Sequence, residues 1–121
     1  MAAKILVVED EQDIRQLLHL QLSSAGYVTV FATDGLTALS TARKERPDLI
    51  LLDLGLPAGG GFVFIERMSA MAELEMIPVI VVTARGAEEG EKAVALGARR
   101  YFLKPFDADE LLAEIRQALG T

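Results

Sequence analysis

Short apolar runs and longer amphipathic segments alternate along this chain. Most of the runs consist almost entirely of branched aliphatic residues, which is typical of parallel strands that are covered on both faces. The run at residues 27–32 alternates between apolar and polar positions, so we expect it at an edge of the sheet. The predicted strands are residues 4–8, 27–32, 49–52, 78–83 and 100–103.

A segment with apolar residues at helical spacing follows each predicted strand. Two of these segments begin with the spacing of a capping box, in which an acidic side chain caps the helix and a Glu or Gln lies three residues on. The predicted helices run from the N-cap Asp13 to Gly26, from Asp34 to about Arg46, over 62–72, over 87–96, and from the N-cap Asp107 to Leu119. The predicted buried face of the third helix is Phe62, Ile65, Met68 and Ala72.

This alternation predicts an α/β fold. Five strands and five helices in regular order favour a doubly wound parallel sheet with right-handed crossovers and helices on both faces. With 121 residues, 51% of them hydrophobic, the chain has the size and apolar content of one domain over residues 1–121. Its one glycine-rich loop, residues 55–61, follows the third strand.

The composition limits the classes of function. A net charge of −6 argues against direct binding of nucleic acid, because phosphate backbones need a basic surface. The sequence has no cysteine, which excludes disulfides, thiolate metal sites and cysteine nucleophiles. It shows neither a signal-peptide pattern nor an apolar stretch of membrane-spanning length, so we expect a soluble, cytoplasmic domain without membrane contact.

Polar side chains follow four of the five predicted strands, at the point where each strand ends. They are Glu9 and Asp10 after the first strand, Asp53 after the third, Thr83 at the end of the fourth and Lys104 after the fifth. The carboxyl ends of parallel strands lie along one edge of the sheet, which is where open α/β sheets bind their ligands. The first and third strands are neighbours beside the switch point of such a sheet, so the three carboxylates are expected in one pocket.

Crowded carboxylates need a proton or a cation to offset their repulsion. An all-oxygen ligand set favours a hard ion such as Mg²⁺, and a hydroxyl and an ammonium group on neighbouring strands suit a phosphoryl group. Each residue alone has a plainer interpretation: Asp53 as a turn or cap, Thr83 as a strand residue, Lys104 as a solvated side chain. Their coincidence at four strand ends favours phosphoryl chemistry at Asp53.

These motifs resemble the receiver domain of two-component response regulators, the CheY-like domains. The segments L-V-V-E-D with Glu9-Asp10, L-L-D-L-G-L-P with Asp53, V-V-T-A with Thr83-Ala84 and L-K-P-F with Lys104-Pro105 occur in the family's order and spacing. Gly61, eight residues after the acid, also matches. The resemblance covers essentially the whole chain and implies a flavodoxin-like five-stranded sheet in the order 2-1-3-4-5.

The resemblance also implies the chemistry of the site. Asp53 is implied as the phosphoacceptor, in a Mg²⁺-dependent reaction with a phosphohistidine or a small phosphodonor. Asp10, Asp53 and the Gly55 carbonyl are implied as metal ligands, with Glu9 acting through water.

Four further roles follow from the same resemblance. Thr83 and Lys104 are implied to bind phosphoryl oxygens, with Ala84 leaving room beside them. The peptide bond before Pro105 is implied to be cis and to direct the lysine inward.

A switch and its partners are implied as well. The resemblance implies that phosphorylation draws Thr83 inward and lets Tyr101 rotate, and that this alters an output face made by the fourth helix, the fifth strand and the fifth helix. The implied partners are a sensor histidine kinase or phosphotransfer protein and a downstream protein or effector domain, and the resemblance allows a homodimer. The domain is expected to catalyse only its own phosphorylation and dephosphorylation.

Other functions stay open from the residues alone. A Mg²⁺-dependent phosphohydrolase with an Asp nucleophile is the main alternative, although the haloacid-dehalogenase type has a second acid where this chain has Gly55. A nucleotide-binding module needs a phosphate-binding loop after the first strand, where Glu9, Asp10 and Glu11 would repel phosphate. Two positions depart from the usual receiver pattern: we expect Gly55 to leave the phosphate open to water and Arg85 to act on that access too.

Overall fold

The computed structural model describes residues 2–56 and 60–121. Part of the predicted glycine-rich loop, residues 57–59, lies outside the described residues. The strands are β1 Lys4–Val8, β2 Val28–Ala32, β3 Leu49–Leu52, β4 Val79–Thr83 and β5 Arg100–Leu103. The helices are α1 Gln12–Ser24, α2 Gly35–Glu45, α3 Gly60–Ser69, α4 Ala87–Ala95 and α5 Ala108–Leu119.

The five strands form one parallel sheet in the order β2-β1-β3-β4-β5, which confirms the predicted fold. Val8 at the end of β1 pairs with Leu52 at the end of β3, so these two strands finish level with each other. Thr83 at the end of β4 likewise pairs with Leu103 at the end of β5. The residues that follow these strands therefore emerge along one edge of the sheet.

The core forms on both faces of the sheet because the central strands are apolar at every position. In β1 and β3, successive residues point to opposite faces, so each strand contributes to two separate clusters of buried side chains. One cluster packs under α2, α3 and α4, and the other packs under α1 and α5. Among the described residues, no helix has the length and apolar content needed to cross a membrane.

The prediction for the start of α1 was wrong. The helix begins at Gln12 with Glu11 as its N-cap residue, and Asp13 lies in the first turn without acting as the cap. The reason lies upstream, where Glu9 Oε2 accepts a hydrogen bond of 3.2 Å from the Glu11 backbone N–H. This bond orders the backbone at Glu11, so the N-cap lies two residues before the predicted Asp13.

The prediction for the third helix was wrong at its end and partly wrong on its buried face. α3 stops at Ser69, Ala72 is exposed beyond it, and Phe62 is only half-buried; the buried face is Gly61, Phe64, Ile65 and Met68. After Ser69 the chain turns sharply, and this turn places the fully buried Leu74 in the core. Burial of a large aliphatic side chain outweighs one more turn of helix.

The remaining helix ends agree closely with the sequence patterns. Asp34 and Asp107 act as N-caps, Asp34 accepting from the Thr37 N–H and Asp107 from those of Asp109 and Glu110. Gly26 follows α1 with φ of 93°, a left-handed conformation that favours glycine. The ends of these helices could be predicted because the residues that cap them lie next to them in the sequence.

Glu114 of α5 joins the helix to the start of β5. Its carboxylate is 6% exposed and accepts hydrogen bonds of 2.7 Å from Arg99 Nε and 2.8 Å from Arg100. These bonds from two guanidinium groups hold the pKa of Glu114 below its ordinary value of 4.5. A lowered pKa means that the carboxylate stabilises the fold above pH 4.5 and that this stabilisation is lost as the pH falls further.

Glu114→Gln is therefore expected to lower the free energy of unfolding by about 1 kcal/mol at neutral pH, because Arg99 and Arg100 are largely exposed and retain their hydration. The difference from wild type should disappear well below pH 4.5. Urea unfolding at neutral pH and well below pH 4.5 measures the difference in the free energy of unfolding. Glu110→Gln, at an exposed position on the same helix, is the control. A difference that persists in acid would contradict the assigned ion pair.

Candidate functional site

The sheet brings the predicted carboxylates together. The Asp53 N–H donates to the Val8 carbonyl at 3.0 Å, which extends the β1–β3 pairing to the acid itself. One carboxylate oxygen from each of Glu9, Asp10 and Asp53 lies within 4.8 Å of the others. Glu9 and Asp53 are buried and Asp10 is exposed, so the cluster opens to solvent on one side. The predicted convergence of three acids is present.

Lys104 joins this cluster from the end of β5. Its Nζ donates to Glu9 Oε1 at 2.8 Å and lies 3.6 Å from Asp53 Oδ2. The Lys104 N–H donates to the Thr83 carbonyl at 2.9 Å, so the backbone pairing of β4 and β5 continues to this residue. The following peptide bond, to Pro105, is cis. The ammonium group therefore contacts two of the three carboxylates, and among these four side chains negative charge is in excess.

The pKa values of Glu9 and Lys104 reflect their burial first and the neighbouring charges second. Burial raises the pKa of Glu9 to about 7, and the charge of Asp53 raises it too, against the opposing hydrogen bond from Lys104. Burial alone would lower the pKa of Lys104, but the hydrogen bond to Glu9 and the charge of Asp53 outweigh it and raise this pKa. The ammonium group is thus firmly charged, whereas Glu9 takes up a proton more readily than an ordinary glutamate does.

Each carboxylate oxygen of Asp53 has a partner that fixes its orientation. Its Oδ1 accepts a hydrogen bond of 3.1 Å from the Gly55 N–H, and its Oδ2 faces Lys104. The residue is only 8% exposed, because β3 places it directly after four buried residues. A carboxylate fixed in this way, beside a cation and at the rim of a pocket, is oriented for attack on an electrophile from the open side.

Thr83 ends β4 on the neighbouring strand and is fully buried. Its Oγ1 accepts a hydrogen bond of 3.0 Å from the Arg85 N–H. Ala84 and Arg85 are exposed at the rim. Arg85 also approaches Gly55, since a Cβ atom built on Gly55 would lie 3.8 Å from Arg85 Nε and 3.7 Å from Asp53 Oδ1. The two residues that depart from the usual receiver pattern therefore meet beside Asp53.

Tyr101 lies deeper along β5, paired with Val81 of β4, and is half-buried. Its ring packs against Gly90 of α4, so closely that a Cβ atom at position 90 would lie 2.5 Å from Tyr101 Cγ. The aromatic ring therefore connects the strand that carries Lys104 to the helix on the same face of the sheet.

Arg15 is a residue of this site that the sequence analysis missed. Its guanidinium donates to the backbone carbonyls of Glu9 and Asp10, at 3.0 Å each. The two carbonyls follow the end of β1, where no neighbouring strand among the described residues supplies hydrogen-bond donors. Arg15 lies in the first turn of α1 and donates to them instead. The signal that could have identified Arg15 is the short loop between strand and helix, because its backbone carbonyls need hydrogen-bond donors.

The cluster suits a divalent cation. The ligand atoms available are carboxylate oxygens, the Lys104 ammonium group pairs with two of the three carboxylates, and Asp10 is open to solvent. Mg²⁺ prefers oxygen ligands and keeps several waters, which a pocket open on one side permits. The residues present therefore fit the ion that the sequence analysis predicted.

A comparison with known proteins agrees with this geometry. The model of the response regulator receiver domain family matches residues 5–116. The chain is 41% identical over 120 residues to the phosphate regulon transcriptional regulatory protein PhoB of Escherichia coli, covering 98% of this chain and 52% of PhoB. It is also 41% identical to sporulation initiation phosphotransferase F of Bacillus subtilis, covering 98% of this chain and 95% of that protein. The chain thus spans about half the length of PhoB and nearly all of the second relative.

Solved structures give the same result. The chemotaxis response regulator CheY4 of Vibrio cholerae superposes with a TM-score of 0.89 at 32% identity, covering 98% of this chain and 100% of CheY4. The receiver domain of the sensor histidine kinase PA1611 of Pseudomonas aeruginosa, with a magnesium ion coordinated in its active-site cleft, gives 0.92 at 28% identity over the full length of both chains. Fold, pocket and family match together show that this chain belongs to the response regulator receiver domain family, the phosphoacceptor switches of two-component signalling.

Proposed function

We propose that Asp53 accepts the phosphoryl group that controls this domain. The observation that carries the proposal is the setting of its carboxylate, buried to 8% exposure between the Gly55 N–H and the Lys104 ammonium, with Glu9 and Asp10 beside it. Such a carboxylate is fixed in direction and has a cation ready for the charge that arrives.

In the reaction, an Asp53 oxygen forms a bond to phosphorus while the bond from phosphorus to the donor breaks. The donor keeps the electron pair: it is a histidine nitrogen of a kinase or phosphotransfer protein, or the acetate of acetyl phosphate. Lys104, 3.6 Å from Asp53 Oδ2, pairs with one oxygen of the transferred group. The Thr83 hydroxyl binds a second oxygen once it leaves the Arg85 N–H, and the small Ala84 leaves space for it.

Asp10, Asp53 and the Gly55 carbonyl would hold Mg²⁺, with Glu9 acting through a water molecule. When bound, the ion supplies positive charge that offsets the carboxylates and the phosphoryl oxygens. Arg15 keeps the backbone carbonyls of Glu9 and Asp10 in place, and so orients both side chains toward the pocket.

The domain is a signalling module, and we propose that its only chemistry is on itself: transfer of the phosphoryl group to Asp53 and hydrolysis of the product. A phosphohydrolase with a separate substrate is not favoured. The position of its second acid is Gly55, and a Cβ atom there would already lie 3.7 Å from Asp53 Oδ1. The described pocket therefore has no second acid at the place such a phosphatase needs it.

The output face would be α4, β5 and α5. Movement of Thr83 toward the phosphoryl group and rotation of Tyr101 would change this face, which carries the exposed side chains of Val94 and Leu103. Exposed apolar side chains on a face that changes with phosphorylation suit reversible binding to a downstream protein or effector domain, or to a second copy of the chain. We further propose that residues 1–121 form one domain, that its location is cytoplasmic and that it makes no direct contact with nucleic acid or membrane.

Removal of the metal tests the reaction. Incubation with acetyl phosphate and Mg²⁺ should add the mass of one phosphate to the intact protein, and an excess of EDTA should prevent the gain. The expected dependence follows from the excess of negative charge beside Asp53, which repels a phosphodonor unless a cation is bound. An equal mass gain in EDTA would contradict the proposed metal requirement.

Gly55 and Arg85 are expected to set the lifetime of the acyl phosphate. A side chain at position 55 would grow between Asp53 and Arg85, where it would exclude water from the phosphate. Gly55→Met is therefore expected to lengthen the half-life several-fold, whereas the short Gly55→Ala serves as the control. The half-life is measured by intact mass after removal of the donor, and an unchanged half-life in Gly55→Met would count against this role.

A further inference from the structure

Gly90 is an unusual residue for its place in the fold. It lies in the interior of α4, where glycine is unfavourable because it loses the most backbone freedom when it becomes ordered. Its backbone is helical, so no left-handed conformation requires glycine there. It is nevertheless one of the two buried residues of α4, the other being Ala93. A buried alanine three residues away shows that the packing of this helix against the sheet does not itself demand glycine.

The ring of Tyr101 accounts for the glycine. A Cβ atom at position 90 would lie 2.5 Å from Tyr101 Cγ, 2.9 Å from Cδ1 and nearer still to Cδ2. Non-bonded carbon atoms keep about 3.5–4.0 Å apart, so any side chain at this position must displace the ring. Because Cγ is bonded directly to the Tyr101 Cβ, a tilt of the ring does not relieve the overlap. The ring must rotate about χ1, or α4 must move away from β5.

We propose that Gly90 is the positioning residue of Tyr101, and that the size of the side chain at position 90 determines whether the ring occupies the place it has in the unphosphorylated chain. The inference rests on the proposed function in one respect: it assumes that binding at the output face depends on the position of this ring. The glycine leaves a recess in α4, the ring fills it, and β5 and α4 are held together through that contact.

The weak attachment of α4 to the core extends this inference. With two buried residues in nine, the helix can shift at little cost when the ring leaves the recess. Occupation of the recess by a methyl group should therefore have the same local effect as departure of the ring: the contact between α4 and β5 is lost without phosphorylation. Gly90→Ala is thus expected to displace Tyr101 in the unmodified protein.

The tyrosine content of the chain makes this measurable. The sequence has two tyrosines, Tyr27 and Tyr101, which pack on opposite faces of the sheet. Protein labelled with 3-fluorotyrosine gives two fluorine signals, which Tyr27→Phe assigns. Gly90→Ala should shift the Tyr101 signal and leave the Tyr27 signal in place, whereas Glu91→Ala, at the exposed neighbouring position, should shift neither. An unshifted Tyr101 signal in folded Gly90→Ala overturns the inference.

A second variant covers the case in which Gly90→Ala folds poorly. If the overlap with Tyr101 is the cause, Gly90→Ala/Tyr101→Ala recovers the melting temperature of Tyr101→Ala, and this recovery supports the inference. If the double variant remains less stable than Tyr101→Ala, the glycine serves another purpose and the inference is overturned.

Phosphorylation of the same samples separates this inference from the proposed function. A shifted Tyr101 signal in Gly90→Ala, together with no mass gain of the wild type in acetyl phosphate and Mg²⁺, supports the positioning role and contradicts the proposed function. A mass gain of the wild type with an unshifted Tyr101 signal in Gly90→Ala overturns the inference and leaves the proposed function standing.

Discussion

Asp53→Asn is expected to abolish the mass gain that acetyl phosphate and Mg²⁺ produce in the wild type. The amide keeps the size of the side chain but is not a nucleophile toward phosphorus, and it removes one of the three negative charges that would attract the ion. The loss should be complete, because Asp53 is the one acceptor in the proposed reaction: Asp10 would hold the metal, and Glu9 is paired with Lys104.

The fold should survive this substitution. Asp53 follows β3, its N–H still donates to the Val8 carbonyl, and Asn can accept from the Gly55 N–H in the same way. Removal of one carboxylate from the cluster should even raise the melting temperature slightly, since like-charge repulsion falls. Asp13→Asn, an exposed acid in the first turn of α1, is the matched control and should phosphorylate like the wild type. Equal mass gains in Asp53→Asn and the wild type would refute Asp53 as the acceptor.

Lys104→Met is expected to slow phosphorylation by acetyl phosphate roughly 100-fold, the scale of a single well-placed group that stabilises developing charge. The substitution keeps a long apolar stem and removes the ammonium group, which lies 2.8 Å from Glu9 and 3.6 Å from Asp53. Mg²⁺ binding should not weaken, because loss of a nearby positive charge makes the carboxylates more attractive to a cation. Slower phosphorylation with undiminished metal affinity is the signature of a group that acts on the phosphoryl oxygens.

The rate is followed by intact mass and the Mg²⁺ affinity by calorimetry. Lys92→Met, at a largely exposed position on α4, is the matched control. A rate within twofold of the wild type would show that Lys104 does not act on the phosphoryl group, and a parallel loss of Mg²⁺ affinity would assign its effect to the metal site.

The sheet and the convergence of the site could be predicted from the sequence because they depend on patterns that are local and strong. Four apolar residues before Asp53, with Pro47 before them and a glycine-rich loop after them, favour a strand covered on both sides, and the carboxyl ends of parallel strands meet whatever their side chains are. The position of Lys104 followed from the same rule, although it lies 95 residues from the Glu9 that it binds.

Contacts that depend on exact distances between elements could not be predicted in this way. Nothing in the sequence around Gly90 indicates its contact with Tyr101, because that contact depends on how closely α4 lies on β5. The burial of Glu114 has no signal in its local sequence, because it depends on two arginines at the start of another element.

The start of α1 was misplaced for a different reason, because two local patterns compete. The Glu11 N–H donates to the Glu9 side chain although Asp13 and Gln16 have the spacing of a capping box.

The most direct measurement of the central claim is the chemical identity of the phosphorylated residue. Borohydride reduces an acyl phosphate of aspartate to homoserine, and peptide mass mapping then locates that homoserine in the chain. Treatment with acetyl phosphate and Mg²⁺ followed by reduction is predicted to give homoserine at position 53 and nowhere else. Homoserine at Asp10 or another aspartate, hydroxynorvaline at Glu9 or another glutamate, or a phosphate that resists reduction on a serine or threonine, would contradict the account.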